Sequence, residues 1–165
     1  MKKYLVMLAV AIAAVFAVVA VSGAQGPGPQ TLVLKENSKG SKFTFVDAAR
    51  PFAKNPRRPT PSQGDYFVFY TPLNDVAGNP AGELDVKCTI TKKGKARTGA
   101  GEVDVCEGAL GLSNGEIFIS ARVVGESANV RGAITGGTGA YANARGTFTS
   151  VGENNATDTL VFTTS

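Results

Sequence analysis

The chain has no histidine among its 165 residues, and that absence narrows the available chemistry before any motif is considered. Ser-His-Asp and Cys-His sites need an imidazole as base, and most zinc sites with few cysteines need one as ligand. Serine and threonine are abundant, yet no Gly-x-Ser-x-Gly elbow occurs. Any catalysis must therefore use carboxylates, tyrosine, arginine or oriented backbone dipoles. No metal, nucleotide or other cofactor is implied. Two cysteines, Cys88 and Cys106, complete the reactive inventory. Without histidine they make a poor metal pair, and in an exported chain two cysteines usually pair with each other.

A glycine run, Gly136, Gly137 and Gly139, invites a phosphate-binding reading. That reading needs the glycines between a strand and a helix, with an acid about 20 residues further on. Here the β-branched and aromatic residues Thr147, Phe148 and Thr149 follow, and no Lys-Ser/Thr pair is present. The run reads instead as a tight corner between two β segments, expected at 129–135 and 144–151.

The elements that must position such residues are strands. Helical periodicity is hard to find after residue 30, whereas short β-rich runs recur between turn clusters. They lie at 31–36, 42–47, 65–71, 83–91, 103–112, 116–124, 129–135, 144–151 and 157–163. Nine such runs predict an all-β antiparallel barrel or sandwich, and if the first lies outside, eight remain. In the run from 116, Ile117, Ile119, Ala121 and Val123 share one face. In the run from 83, Leu84, Val86, Cys88 and Ile90 do the same, the alternation of a half-buried strand. Asn114-Gly115 is a hairpin signal between two such runs. Tyr66, Phe67, Phe69 and Tyr70 cover both faces of their strand, so one pair lines the interior and the other packs outside.

The cysteines add a register. If Cys88 faces Cys106, then Val86 faces Gly108 and Ile90 faces Asp104, around a polar loop containing Arg97. Closing so short a loop stabilises the fold by roughly 3 kcal/mol on a chain-entropy estimate.

At this point a resemblance appears. The residues from Ile134 through Gly136, Gly137, Thr138 and Gly139 to Arg145 and Gly146 resemble the Gly-Gly-Thr-Gly…Ala-Arg-Gly motif of dirigent proteins. They are also similar to the Ile-Thr-Gly-Gly segment of allene oxide cyclases. Upstream, Gly64, Asp65, Val68, Phe69, Pro72 and Leu73 resemble a Gly-Asp…Val-Phe…Pro-Leu segment of the same barrel superfamily. The similarity spans about 42–164. It implies an eight-stranded antiparallel β-barrel that binds a small apolar or phenolic molecule and steers its cyclisation or coupling. It also implies a homotrimer.

The resemblance assigns roles as well. Phe43 to Asp47 looks like the dirigent segment whose aspartate faces the pocket, making Asp47 the first catalytic candidate. Glu126 and Arg131 stand where dirigent proteins carry a pocket acid and an arginine, although the Asp-Pro of that segment is missing here. A carboxylate in an apolar barrel would have a raised pKa and could donate a proton, with an arginine to orient it. Arg145 matches the family's Ala-Arg-Gly and joins Tyr66, Phe67, Phe69 and Tyr70 as a candidate ligand contact. Each has a plainer reading: Asp47 as a turn cap, Glu126 and Arg131 as a solvated pair, Arg145 as a clamp on the glycine corner. The alternative function is a non-catalytic extracellular binding or structural barrel.

The N-terminus reads as a secretory signal. Lys2-Lys3 precede an apolar run at 4–21, and Ser22-Gly23-Ala24 offer small residues for cleavage. The organisation is then 1–24 signal peptide, 25–30 linker and 31–165 barrel, with the product extracellular or periplasmic. Removing residues 1–24 takes Lys2 and Lys3 and no acid, leaving 15 basic against 13 acidic residues. A balance of +2 is too small to argue for nucleic acid or an anionic membrane by field alone, and neither is expected as a partner. The proline-rich stretch at 50–61 reads as a solvated basic connection.

Overall fold

A computed structural model describes residues 28–48, 61–95, 100–125 and 127–164. The expected signal peptide, most of the proline-rich connection, Arg97 and Glu126 lie outside the described residues. Nine strands form one antiparallel sheet: β1 (Gln30–Glu36), β2 (Lys42–Val46), β3 (Tyr66–Asn74), β4 (Pro80–Lys92), β5 (Val103–Leu112), β6 (Gly115–Val124), β7 (Asn129–Gly137), β8 (Arg145–Val151) and β9 (Thr157–Thr163).

Sheet order is β1-β9-β8-β7-β6-β5-β4-β3-β2, and an added β1–β3 pairing closes it into an eight-stranded barrel. The strand outside the barrel is β2, not the first one. Lys35 faces Asn74 and Lys42 faces Tyr70, so seven residues on one side span four on the other. The surplus is taken up by a 3-10 turn at Ser38–Gly40, capped by the Asn37 side chain. β1 and β2 thus share one edge of β3. Only β1 reaches β9, through six register pairs from Gln30–Phe162 to Lys35–Thr157.

Alternation decides the interior. Leu84, Val86, Cys88 and Ile90 of β4 are buried, as are Ile117, Ile119 and Ala121 of β6. Leu84, Val86, Cys88, Ile117 and Ile119 join Leu34, Leu73, Leu110 and Leu160, these four within 2 % of complete burial, in one contiguous core. Each such side chain contributes roughly 1.5–3 kcal/mol on leaving water. Cys88 faces Cys106, Val86 faces Gly108 and Ile90 faces Asp104, the expected register. The cysteines form a disulfide with Cα atoms 4.0 Å apart.

Two turn expectations shift by a residue or two. Leu112 pairs with Gly115, so Ser113 and Asn114 form the β5–β6 turn and Gly115 opens β6. The glycine run is not wholly a corner. Gly136 and Gly137 extend β7 opposite Phe118 and Ile117, and the chain turns only at Gly139, where φ is +58°. A Cβ on Gly137 would collide with the carbonyl oxygens of Tyr141 and Glu116, so the ladder tolerates glycine there because nothing larger fits.

Candidate functional site

The barrel's two ends differ. At one, Leu73, Leu110, Ile117, Ile134 and Ala144 are buried to 2 % exposure or less, and Tyr141 meets Phe162 edge-to-face at 5.9 Å. At the other, where β5 and β7 begin and β4, β6 and β8 end, the lumen holds a cavity of about 230 Å³. Its wall is mainly apolar: Phe67 and Phe69 from β3, Val86 from β4, Ile119 from β6, Phe148 from β8, and the disulfide. Gly108 widens it by carrying no side chain; a Cβ there would lie 2.8 Å from Val86 Cγ2.

The inward-facing ionisable groups are carboxyls. Asp104, one register step from Cys106 on the same face of β5, lines the cavity with 7 % of its surface exposed. Its Oδ1 has no hydrogen-bond partner. Burial, with Glu102 adding negative charge, raises its pKa to about 6. Asp158 of β9 is fully buried, faces Ser150 across the strands, and neither of its oxygens is partnered. Burial and the nearby Glu36 push it up to about 7, partly offset by the Ser150 hydroxyl. The Glu36 carboxyl is also raised by burial, again tempered by Ser150. The Ser150 hydroxyl tempers both carboxyls from nearby without closing a hydrogen bond to either Asp158 oxygen. The smaller rise at Asp104 fits its place on the wall, where the hollow leaves desolvation incomplete.

Glu36 and Ser150 line the cavity, with Glu153 and Glu107 as exposed acids near it. No lysine or arginine lines it among the described residues. Those residues also hold no cluster of three or more metal-ligating side chains.

The sequence-based site assignments separate accordingly. Phe67 and Phe69 line the cavity. Tyr66 and Tyr70 take the other face of β3, where Lys87 Nζ sits 4.4 Å from the Tyr66 ring and Tyr70 lines an outer groove with Lys42 and Asp85. Strand parity forces this split, so only the phenylalanines can touch a ligand in the lumen. Asp47 follows the end of β2, half-buried, and is not among the cavity-lining residues. Arg131 is exposed, opposite Thr149 on the outer face of β7, because the inward positions there are Val130, Gly132 and Ile134. Arg145 is exposed and donates from Nη1 to the Ala144 carbonyl at 2.7 Å, 3.7 Å from where a Cβ on Gly136 would stand. Glu126 lies outside the described residues.

The residues that sequence reasoning missed are Glu36, Asp104 and Asp158. A signal was present for two of them. Asp104 is in phase with Cys106, and Asp158 with Leu160 and Phe162, so each is an acid on an apolar face.

No protein-family model matches the chain, and no curated protein matches it. Solved structures do. Pyocyanin demethylase is 28% identical with a TM-score of 0.59, over 82% of this chain and 99% of that one. A Diels-Alderase from Streptomyces koyangensis is 17% identical with a TM-score of 0.58, over 81% and 63%. A pterocarpan synthase dirigent protein is 18% identical with a TM-score of 0.54, over 83% and 84%. The closed eight-stranded barrel with its one extra strand is thus a fold this chain shares with these proteins, a dirigent protein among them.

Proposed function

We propose that this chain is an exported barrel that binds a small, largely apolar organic molecule in its lumen and steers its cyclisation or coupling. The observation that carries this reading is the hollow end: an aromatic-walled cavity with a buried carboxyl in its wall, one oxygen of which has no hydrogen-bond partner. Phe67, Phe69 and Phe148 would hold one reactive conformer, and fixing a near-attack geometry alone can lower a barrier by up to about 7–11 kcal/mol. Asp104 would supply or receive the proton. A positioned acid contributes typically about 10²- to 10⁴-fold, most when its pKa lies near working pH.

The test is turnover of a phenolic and polyene panel by the protein, followed by chiral product analysis. One member should give a product of fixed stereochemistry, faster below pH 6 than above it, because Asp104 loses its proton through that range. Asp104→Asn should abolish the pH dependence. Binding without conversion across the panel would instead identify a non-catalytic binding barrel. Export is supported by the Lys2-Lys3 and apolar leader and by the disulfide. The homotrimer is supported by the resemblance, and light scattering tests it.

A second reading is removal of a methyl group from a heteroaromatic molecule. It is favoured by the likeness to pyocyanin demethylase over 99% of that chain. Incubation with pyocyanin and mass analysis of the product decides between the two.

A further inference from the structure

The cavity's polar groups have one sign. Counting around the barrel, β9 and β5 are four positions apart in either direction, so Asp158, which lies behind the cavity's lining residues, stands on the wall opposite Asp104. Glu36, on β1 beside β9, lines the cavity on the Asp158 side, and Glu153 lies near it in the β8–β9 turn. Phe67 and Phe69 on β3 and Phe148 on β8 fill wall between these two poles.

Nothing described neutralises either pole. The strands flanking β5 place Ile90 and Val123 opposite Asp104, and the nearest charge to it is the acid Glu102. The strands flanking β9 place Leu34 and Ser150 opposite Asp158. A carboxyl oxygen that is buried and unpartnered, as Asp104 Oδ1 and both Asp158 oxygens are, is destabilising unless something else supplies a counter-charge or hydrogen bond. Phenylalanine faces also attract cations.

Resting on the reading of the lumen as a small-molecule site, we propose that it selects a compact aromatic cation, such as an N-alkylated heteroaromatic, and rejects anions. The cation lies against the phenylalanines with its charge toward Asp104 or Glu36. Its arrival favours the ionised carboxylates, so binding expels a proton to solvent. An anionic carboxylate ligand faces like charge from both walls. The volume of about 230 Å³ lies below the roughly 300–1,000 Å³ of drug-sized sites, which keeps the ligand small.

Three probes of matched shape test this: 1-methylquinolinium, 1-methylnaphthalene and 1-naphthoate, carrying positive, no and negative charge. Titration calorimetry at pH 6 in phosphate and in MES gives affinity and net proton release. The cation should bind at least about tenfold tighter than the neutral probe, the anion weakest, with protons released for the cation alone. Asp104→Asn should bring the cation down to the neutral probe's affinity and end the proton release, with a cooperative thermal melt certifying the fold of the variant; a cation that keeps its advantage in this variant overturns the role of Asp104. If the neutral probe binds as well as the cation, or no proton is released, the charge selection is wrong and the small-molecule barrel stands. If none of the three binds, both fall.

Discussion

Two regions of this barrel each bury an aspartate completely, and they treat it in opposite ways. At the corner before β3, Asp65 accepts from the Ala48 and Ser62 backbone N–H groups at 2.9 and 2.8 Å and from the Ser62 hydroxyl at 2.8 Å. On the wall of β9, Asp158 accepts none. The first carboxylate is a structural strut that ties the end of β2 to the start of β3. The second keeps its hydrogen-bonding capacity unspent beside a cavity. Burial alone therefore marks neither as functional; the satisfaction of the oxygens separates them.

The largest test of that difference is Asp65→Ala. Three donors lose their acceptor at once, and unmet buried groups cost about 1–3 kcal/mol each. Urea unfolding should show a loss of roughly 3–5 kcal/mol. A loss below about 1 kcal/mol would mean that water or neighbours replace the carboxylate, and the contrast with Asp158 would dissolve.

Asp158→Asn should act in the opposite sense. Its folded pKa of about 7 stands above the usual carboxylate value. Between those two values the native state therefore holds a proton that the unfolded chain has released. Stability is full in acid below the unfolded pKa and declines as pH rises through the folded one. The slope is about 1.4 kcal/mol per pH unit, giving a total on the order of 2–4 kcal/mol by pH 8. The asparagine variant should lose most of this decline and be the more stable protein at pH 8. Thermal melts from pH 4 to pH 8 read it; a wild type that is more stable at pH 8 would refute the unpartnered carboxyl.

Much of this was legible before any coordinates. Alternation in β4 and β6 gave the inner faces, and one cysteine pairing gave the β4–β5 register, including Asp104 opposite Ile90. The strand outside the barrel was not legible, because β1 and β2 are similarly short β-rich runs. Only the 3-10 turn at Ser38–Gly40 and the reach of β9 distinguish them. The site was legible by half. Parity separates Phe67 and Phe69 from Tyr66 and Tyr70 but leaves open which pair faces in, and the buried acids lie in phase with the core rather than at motif positions. Glu36 is in phase with Leu32 and Leu34, but it ends β1 and its inward role depends on where the barrel closes.

Ser150→Ala is a finer probe of the β9 wall. Removing the hydroxyl takes away the polar neighbour that, among the described residues, holds the rise of both Glu36 and Asp158 in check. Both should rise further. The cost at pH 8, where the carboxyls tend to ionise, should be about 1 kcal/mol, and near zero at pH 4. An equal cost at both pH values would assign Ser150 to packing instead.

The smallest expected effect belongs to Arg131→Ala, and it bears on which side of the barrel wall the chemistry lies. Arg131 is exposed on β7, with Val130 and Gly132, its neighbours in sequence, turned inward. Exposed substitutions away from special features usually change stability by no more than about 0.5 kcal/mol. Ligand affinity should change less than about twofold, since the side chain points away from a lumen whose described lining has no basic residue. A tenfold loss of binding in this variant, with the fold intact, would move the working surface to the outside of the barrel, where Tyr70, Lys42 and Asp85 line the outer groove.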